Sequence, residues 1–227
     1  MLARKLSKFM DNIHKPWTFV FGNHDAEHGA SKEELSQILM ESNLCLFENG
    51  SSSLPGVGNY CLEVSNSTNP WQLCFLDSGV DRMDWIDGEH RWGYQTILPE
   101  QIEMVSRSVM ESPNRSTVIF FHIPIPQVSK FSKEEVQGEW HENVCCANVD
   151  FGFFDSMVEI QAVKGMFFGH DHVNDFSIEQ EGILLAYGRC SGHYNYTMPE
   201  FVKGVRIIDL TPNGKIETFV LLEEASL

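Results

Sequence analysis

Three apolar runs in this chain end abruptly in residues that hold metal ions or move protons. Trp17-Thr18-Phe19-Val20-Phe21 leads into Gly22-Asn23-His24-Asp25. Thr117-Val118-Ile119-Phe120-Phe121 leads into His122, and Gly165-Met166-Phe167-Phe168 leads into Gly169-His170-Asp171-His172. Short apolar runs bounded this way read as buried parallel strands. Ligands in open α/β sheets bind at the carboxyl ends of the strands. Asn23, His122, His170 and His172 can therefore converge on one point, an arrangement suited to a hydrolytic metal centre.

Each run contributes different chemistry. Gly22 lets the chain turn as it leaves its strand, and the Asn23 amide oxygen is a neutral, hard donor for a divalent ion. His24 is placed to reach substrate, and Asp25 is expected to bond one of its ring nitrogens and fix its tautomer. Alone, this tetrapeptide reads equally well as a polar loop with a helix cap. A lone histidine such as His122 is more often structural than a ligand. In His170-Asp171-His172 the two rings share a side only if the segment is a regular strand; in a loop they can serve two adjacent ions. The three elements in this order make coincidence improbable.

The elements that position them follow from periodicity. Leu2, Leu6, Phe9 and Ile13 predict a helix over 2–13 packed on a sheet. Ser31-Lys32-Glu33-Glu34 is a capping box opening a second helix, and Pro99 opens a third with Ile102, Val105 and Val109 inward. Tyr60 to Val64 and Trp71 to Leu76 read as paired strands with a turn around Asn66 to Pro70. Gly79 to Gln95 reads as an irregular surface excursion. The loop from Ile123 to Val149 is long enough to be functional or mobile, and Phe151 to Ile160 reads as a helix. Met166 to Phe168, Ile183 to Tyr187, Val205 to Leu210 and Ile216 to Leu222 read as strands, the last two joined at Pro212-Asn213-Gly214.

Composition limits the partners. The 227 residues carry 32 acidic and 16 basic side chains, a formal net charge of −16. That balance disfavours nucleic acid and anionic membrane surfaces. A phosphate ester can still bind if a cation supplies local positive charge. Of the six cysteines, none forms a C-x-x-C pair, and Cys61 and Cys74 read as buried reduced thiols. No signal peptide or bilayer-length apolar run is seen, so a cytoplasmic location is expected. Asn66-Ser67-Thr68, Asn114-Arg115-Ser116 and Asn195-Tyr196-Thr197 match the glycosylation sequon, which also arises by chance.

Gly-Asn-His-Asp, a strand-end His and then Gly-His-x-His together resemble the second half of the signature of calcineurin-like metallophosphoesterases. Phe19 to Asp25, Leu76-Asp77-Ser78-Gly79, Gly169 to Phe176 and Ala186-Tyr187-Gly188-Arg189 are similar to its purple-acid-phosphatase-like branch. The resemblance covers essentially the whole chain and implies an α/β fold, an αββα sandwich of two mixed sheets, here incomplete at its N-terminus, with residues 1–227 forming one phosphoesterase domain. The family's Asp-x-His and Gly-Asp-x-x-Asp/Asn elements lie upstream of Gly-Asn-His-Asp, and neither an Asp-x-His nor a Gly-Asp dipeptide occurs in this chain. It therefore reads as the C-terminal portion of such an enzyme.

By the same resemblance Asn23, His122 and His170 would hold one ion, and His172 would belong to a second. The complete family site carries two divalent ions, of Mn, Fe or Zn; at most one is expected here. The implied activity is hydrolysis of a phosphate ester, on a phosphoprotein or a small molecule, by a metal-activated water. His24 would protonate the leaving group and Asp25 would orient it. The alternative is a catalytically inactive fragment or isoform acting as a binding or regulatory protein. Surface exposed at Trp17 to Phe21 is expected to promote self-association.

Overall fold

The computed structural model describes residues 2–27, 29–65 and 69–224. The expected turn from Asn66 and the sequon Asn66-Ser67-Thr68 lie outside the described residues. The core is a six-stranded mixed sheet in the order β1-β2-β5-β6-β8-β7. Its centre is parallel: β2 (Trp71–Phe75), β5 (Ser116–Phe120), β6 (Val163–Phe168) and β8 (Ile183–Tyr187) run together. Both edges are antiparallel, with β1 (Tyr60–Val64) against β2 and β7 (Ser177–Gln180) against β8. The central strands are almost wholly buried, as their unbroken apolar runs require.

One face of this sheet is covered by α3 (Pro99–Met110) and α4 (Phe153–Ile160), whose Ile102, Val105, Val109, Phe153 and Met157 join the main core. The antiparallel pair β9 (Gly204–Leu210) and β10 (Ile216–Leu222) covers part of the other face. There Ile208, Leu210 and Ile216 pack on Trp71, Val118, Phe167 and Ala186. Helix, sheet and second sheet thus stack as a sandwich of the expected class.

The run Trp17 to Phe21 is extended but forms no strand among the described residues. One parallel bridge joins Trp17 to Cys45. Its place is fixed by side chains instead. Phe19 stacks on Phe47 at 4.2 Å, and Phe47 meets Tyr60 edge-on at 5.4 Å. From Tyr60 an aromatic row crosses the sheet through Phe75, Phe120 and Phe167, at spacings of 5.0, 5.2 and 5.6 Å. Pairs of this kind contribute about 0.5–1.5 kcal/mol each beyond their burial.

Three further expectations are corrected. The first helix forms (α1, Leu2–Ile13), yet it does not pack on a sheet: Leu2, Leu6, Phe9 and Ile13 are all exposed. It lies beside α2 (Lys32–Leu39), linked by Arg4 to Glu41 at 3.3 Å. The segment read as irregular contains a hairpin, β3 (Asp81–Ile86) with β4 (Glu89–Tyr94). Its turn residues Asp87 and Gly88 have φ of 53° and 83°, the left-handed geometry that suits Asp-Gly. Cys61 and Cys74 are not free thiols; they face each other across β1 and β2 and form a disulfide. Pairing across a ladder depends on register, which the sequence does not display. The long loop, expected to be functional or mobile, is anchored from beneath. Asn174 Oδ1 accepts from the backbone of His141 and Glu142, and Asp175 Oδ1 accepts from Glu139 N at 2.6 Å. Asp175 is in turn held by buried Arg189 at 2.7 Å. No helix among the described residues is long and apolar enough to cross a membrane.

Candidate active site

The parallel strands end in register, from Phe75 through Phe120 and Phe167 to Ala186. The chain leaving β2 supplies Ser78, that leaving β5 supplies His122, and that leaving β6 supplies His170. Ser78 Oγ accepts from the backbone N–H of His122 at 3.2 Å and of Ile123 at 2.9 Å. Gly169 N–H donates to the His122 carbonyl at 3.0 Å. His170 has φ of 78°, and Asp171 N–H closes back on the Gly169 carbonyl at 3.0 Å. This tight turn costs about 1–3 kcal/mol in backbone strain and turns the His170 ring towards His122.

Asn23 arrives from the other side, on the segment held by the aromatic row. Gly22 permits the approach, since a Cβ there would lie 3.2 Å from His122 Nε2. Asn23 Nδ2 donates to Asp81 Oδ1 at 2.7 Å, which aims Oδ1 at His122 Nε2, 3.0 Å away. His170 Nδ1 lies 3.4 Å from the same nitrogen. The structure therefore brings Asn23, His122 and His170 together.

The other three expected residues are placed differently. His172 lines the same cavity but stacks on Tyr196 at 4.1 Å, and its Nδ1 is buried without a partner. Such an orphan costs about 1–3 kcal/mol, which a ligand at that nitrogen would remove. His24 is exposed, and its Nδ1 meets Glu27 Oε1 at 2.8 Å rather than Asp25. Asp25 instead accepts from Gly22 N–H at 2.6 Å. The expected His24–Asp25 bond is thus replaced by His24–Glu27, because the turn brings the third residue round while the adjacent one caps the turn's own backbone.

Burial keeps the converging rings neutral. Desolvation, with smaller contributions from the neighbouring His170, His172, Lys32 and His24, pushes His122 down to about 3. Burial pushes His170 down to about 4, against the pull of the Asp81 carboxylate. Lone pairs are therefore available at neutral pH. Donor atoms about 2.0–2.2 Å from a common ion sit roughly 3.0–3.5 Å apart. The separations of 3.0 and 3.4 Å fit one such ion. All three donors are neutral, however, and among the described residues no three His, Cys, Asp or Glu side chains are placed to cage an ion. The trio fits one loosely held ion and not a two-metal centre.

The cavity in front of the trio measures about 590 Å³. No Lys or Arg is among the described residues lining it, so a phosphate there needs a bound cation for compensation. Four contributors escaped the sequence reading. Ser78 sits inside a string quoted only as a resemblance. Asp81 and Tyr94 come from the missed hairpin, where they are directly paired, and Tyr94 packs edge-on against His170 at 4.4 Å. Glu142 comes from the long loop and accepts from the Tyr196 hydroxyl at 2.8 Å. The Asp87-Gly88 dipeptide was the available signal for the hairpin.

Comparison with known proteins identifies the family. The family model for calcineurin-like phosphoesterases matches residues 2–174. The probable inactive purple acid phosphatase 28 of Arabidopsis thaliana is 31% identical, over 86% of this chain and 54% of its own length. The probable inactive purple acid phosphatase 14 of the same plant is 28% identical, again over 86% and 54%. Phosphatase DCR2 of Saccharomyces cerevisiae is 26% identical over 76% of this chain and 33% of its own. The chain spans about half the length of the plant relatives it matches. Among solved structures, a putative 5′-nucleotidase from Staphylococcus aureus aligns with a TM-score of 0.54 at 11% identity, over 98% of this chain and 41% of its own. A dimetal phosphatase from Danio rerio aligns with a TM-score of 0.50 at 13% identity, over 97% and 88%. At such identities the likeness to these structures shows the fold alone. With the family model covering three quarters of the chain, the protein belongs to the calcineurin-like phosphoesterase family, among its purple-acid-phosphatase-like members.

Proposed function

We propose that this chain supplies the Asn-His-His half of a metal-dependent phosphoesterase centre and binds one divalent ion of the Mn, Fe or Zn type. The observation that carries the reading is the approach of Asn23 Oδ1 and His170 Nδ1 to His122 Nε2, at 3.0 and 3.4 Å. A divalent ion bound there supplies Lewis acidity and a water acidic enough to act as nucleophile near neutral pH. The chain's own residues do the rest. His122 and His170 present unprotonated donors from the ends of β5 and β6, and Asn23 presents its amide oxygen from the extended segment packed against Phe47. His24 stands at the cavity mouth, with Glu27 accepting from Nδ1–H, so that its imidazolium form presents an Nε2–H that would pass to the departing oxygen. The substrate class is a phosphate ester on a protein or a small molecule. With three neutral donors, turnover by the 227-residue chain alone is low.

A second reading, a non-catalytic binding protein, is favoured by the lack, among the described residues, of three His, Cys, Asp or Glu side chains placed to hold an ion, and by the plant relatives described as probable inactive phosphatases. Hydrolysis of an aryl phosphate with added Mn²⁺, beside a Mn²⁺ titration, separates the two. Turnover that disappears in Asn23→Ala supports the enzyme reading. Saturable Mn²⁺ binding without turnover supports the second. Self-association is also proposed, supported by the exposed apolar face of α1 and the unbridged backbone of Thr18 to Phe21. A cytoplasmic location is kept as a proposal, and cell fractionation that finds the chain in a secretory compartment would overturn it.

A further inference from the structure

We propose that Asp81, on the β3–β4 hairpin, is the positioning and charge-compensating residue of the Asn23–His122–His170 site. The inference rests on the metal-binding reading above and adds to it the one group that the neutral donor set lacks.

Three observations carry it. Asp81 Oδ1 accepts from Asn23 Nδ2 at 2.7 Å. An amide whose nitrogen is bound this way must turn its oxygen to the opposite side, and that oxygen is the one 3.0 Å from His122 Nε2. The carboxylate also has no cationic partner among the described residues. The adjacent arginine, Arg82, is engaged with Asp84 at 2.6 Å. Finally, the hairpin is fastened to the site at a second point. Tyr94, paired with Asp81 across the two strands, packs edge-on against the His170 ring at 4.4 Å. The hairpin thus holds one ligand by its amide and another by its ring, and places an uncompensated negative charge beside three neutral donors.

An ion bound by neutral groups keeps its full charge, so a carboxylate one hydrogen bond away strengthens binding without touching the ion. It also polarises the amide, making the Asn23 oxygen a better donor. Partners that hydrogen-bond to ligand residues are typically worth roughly 10–100-fold in metal affinity.

The experiment is a calorimetric Mn²⁺ titration of the full chain and two variants, with Co²⁺ absorption as the second measurement. Asp81→Asn keeps an oxygen for Asn23 Nδ2 and removes the charge; we expect Mn²⁺ binding to weaken by about tenfold with the Co²⁺ spectrum little changed. Asp81→Ala removes both, and we expect a weakening nearer 100-fold with an altered Co²⁺ spectrum as Asn23 swings out of place. A merely structural residue would shift the melting temperature of the metal-free chain and leave the Co²⁺ spectrum alone. Wild-type affinity in both variants would overturn the role of Asp81 and leave the site itself standing. A wild-type chain that binds neither ion would overturn the metal reading, and Asp81's role with it.

Discussion

Acidification separates two consequences of burying His122 and His170. Burial holds the rings down to about 3 and about 4, against an ordinary value near 6.5. At about pH 5 an ordinary histidine is only about 3% neutral, so a site needing two such lone pairs would lose roughly a thousandfold in affinity. His122 and His170 are both neutral in about nine molecules of ten at that pH. Mn²⁺ affinity should therefore change by less than about twofold between about pH 7.5 and about pH 5. Stability moves instead. Because the folded values lie below the unfolded ones, the stability these rings contribute is complete above about pH 6.5 and is lost as pH falls towards the folded values. At about pH 5 the unfolded chain gains roughly 2 kcal/mol from protonating each ring, and the folded chain almost nothing. His172, lowered chiefly by burial, acts in the same direction. Asp171 acts in the opposite one: burial raises its carboxyl to about 6, so the folded chain takes up that proton first and recovers about 1.4 kcal/mol. The balance is a loss of roughly 2–3 kcal/mol, or about 5–10 °C in melting temperature for a domain of this size. Mn²⁺ titrations and thermal melts at the two pH values read both quantities. A thousandfold fall in affinity with an unchanged melting temperature would refute the reasoning, since it requires rings that are solvated and titrate normally.

Other perturbations follow from the same contacts. In a protein that carries this segment together with the family's upstream ligand elements, His24→Ala should lower turnover on an aryl phosphate by roughly 10²–10⁴-fold with metal content intact, whereas His122→Ala should deplete the metal; the reverse pattern in elemental analysis would exchange their roles. Ser78→Ala strands two backbone N–H groups at a residue only 1% exposed and should cost about 2–4 kcal/mol in urea unfolding, with weaker Mn²⁺ binding; an unchanged midpoint would mean that water replaces the hydroxyl. The wild-type chain should elute from a sizing column as a dimer or larger, and the double substitution Leu6→Glu and Phe9→Glu should return it to monomer size. A wild-type monomer at all concentrations would remove the self-association proposal.

The sheet was legible because its parallel strands are buried on both faces and announce themselves as unbroken apolar runs. That same signal misled at Trp17 to Phe21. An apolar run reports burial, and burial there comes from Phe47 and Tyr60 rather than from a neighbouring strand. Hairpin β3–β4 failed in the opposite sense. Its residues are largely polar and exposed, so alternation carried little weight, and only Asp87-Gly88 marked the turn. The apolar stripe on α1 gave the helix correctly and its packing wrongly, since amphipathicity says which face seeks a partner and not whether one is present.

At the site, residue type was readable and geometry was not. Asn23, His122 and His170 follow from strand ends and donor chemistry. Their separation depends on a left-handed turn at His170, a serine receiving two backbone N–H groups behind His122, and an aspartate on a hairpin far along the chain. The strings shared with purple-acid-phosphatase-like proteins turn out to supply this scaffolding as much as ligands. Asp77 takes the Lys32 ammonium at 2.7 Å beside Ser78, Asp171 takes the Tyr187 hydroxyl at 2.5 Å beside His170, and Asp175 takes Arg189 at 2.7 Å beneath the loop that carries Glu142. Breaking either ion pair, Asp77–Lys32 or Asp175–Arg189, costs about 3–5 kcal/mol, so these contacts hold the donor geometry whether or not an ion is bound. On the metal-binding proposal the site's weakness is therefore one of charge and not of shape: its donors are already in place, and the proposed role of Asp81 is to supply the charge they lack.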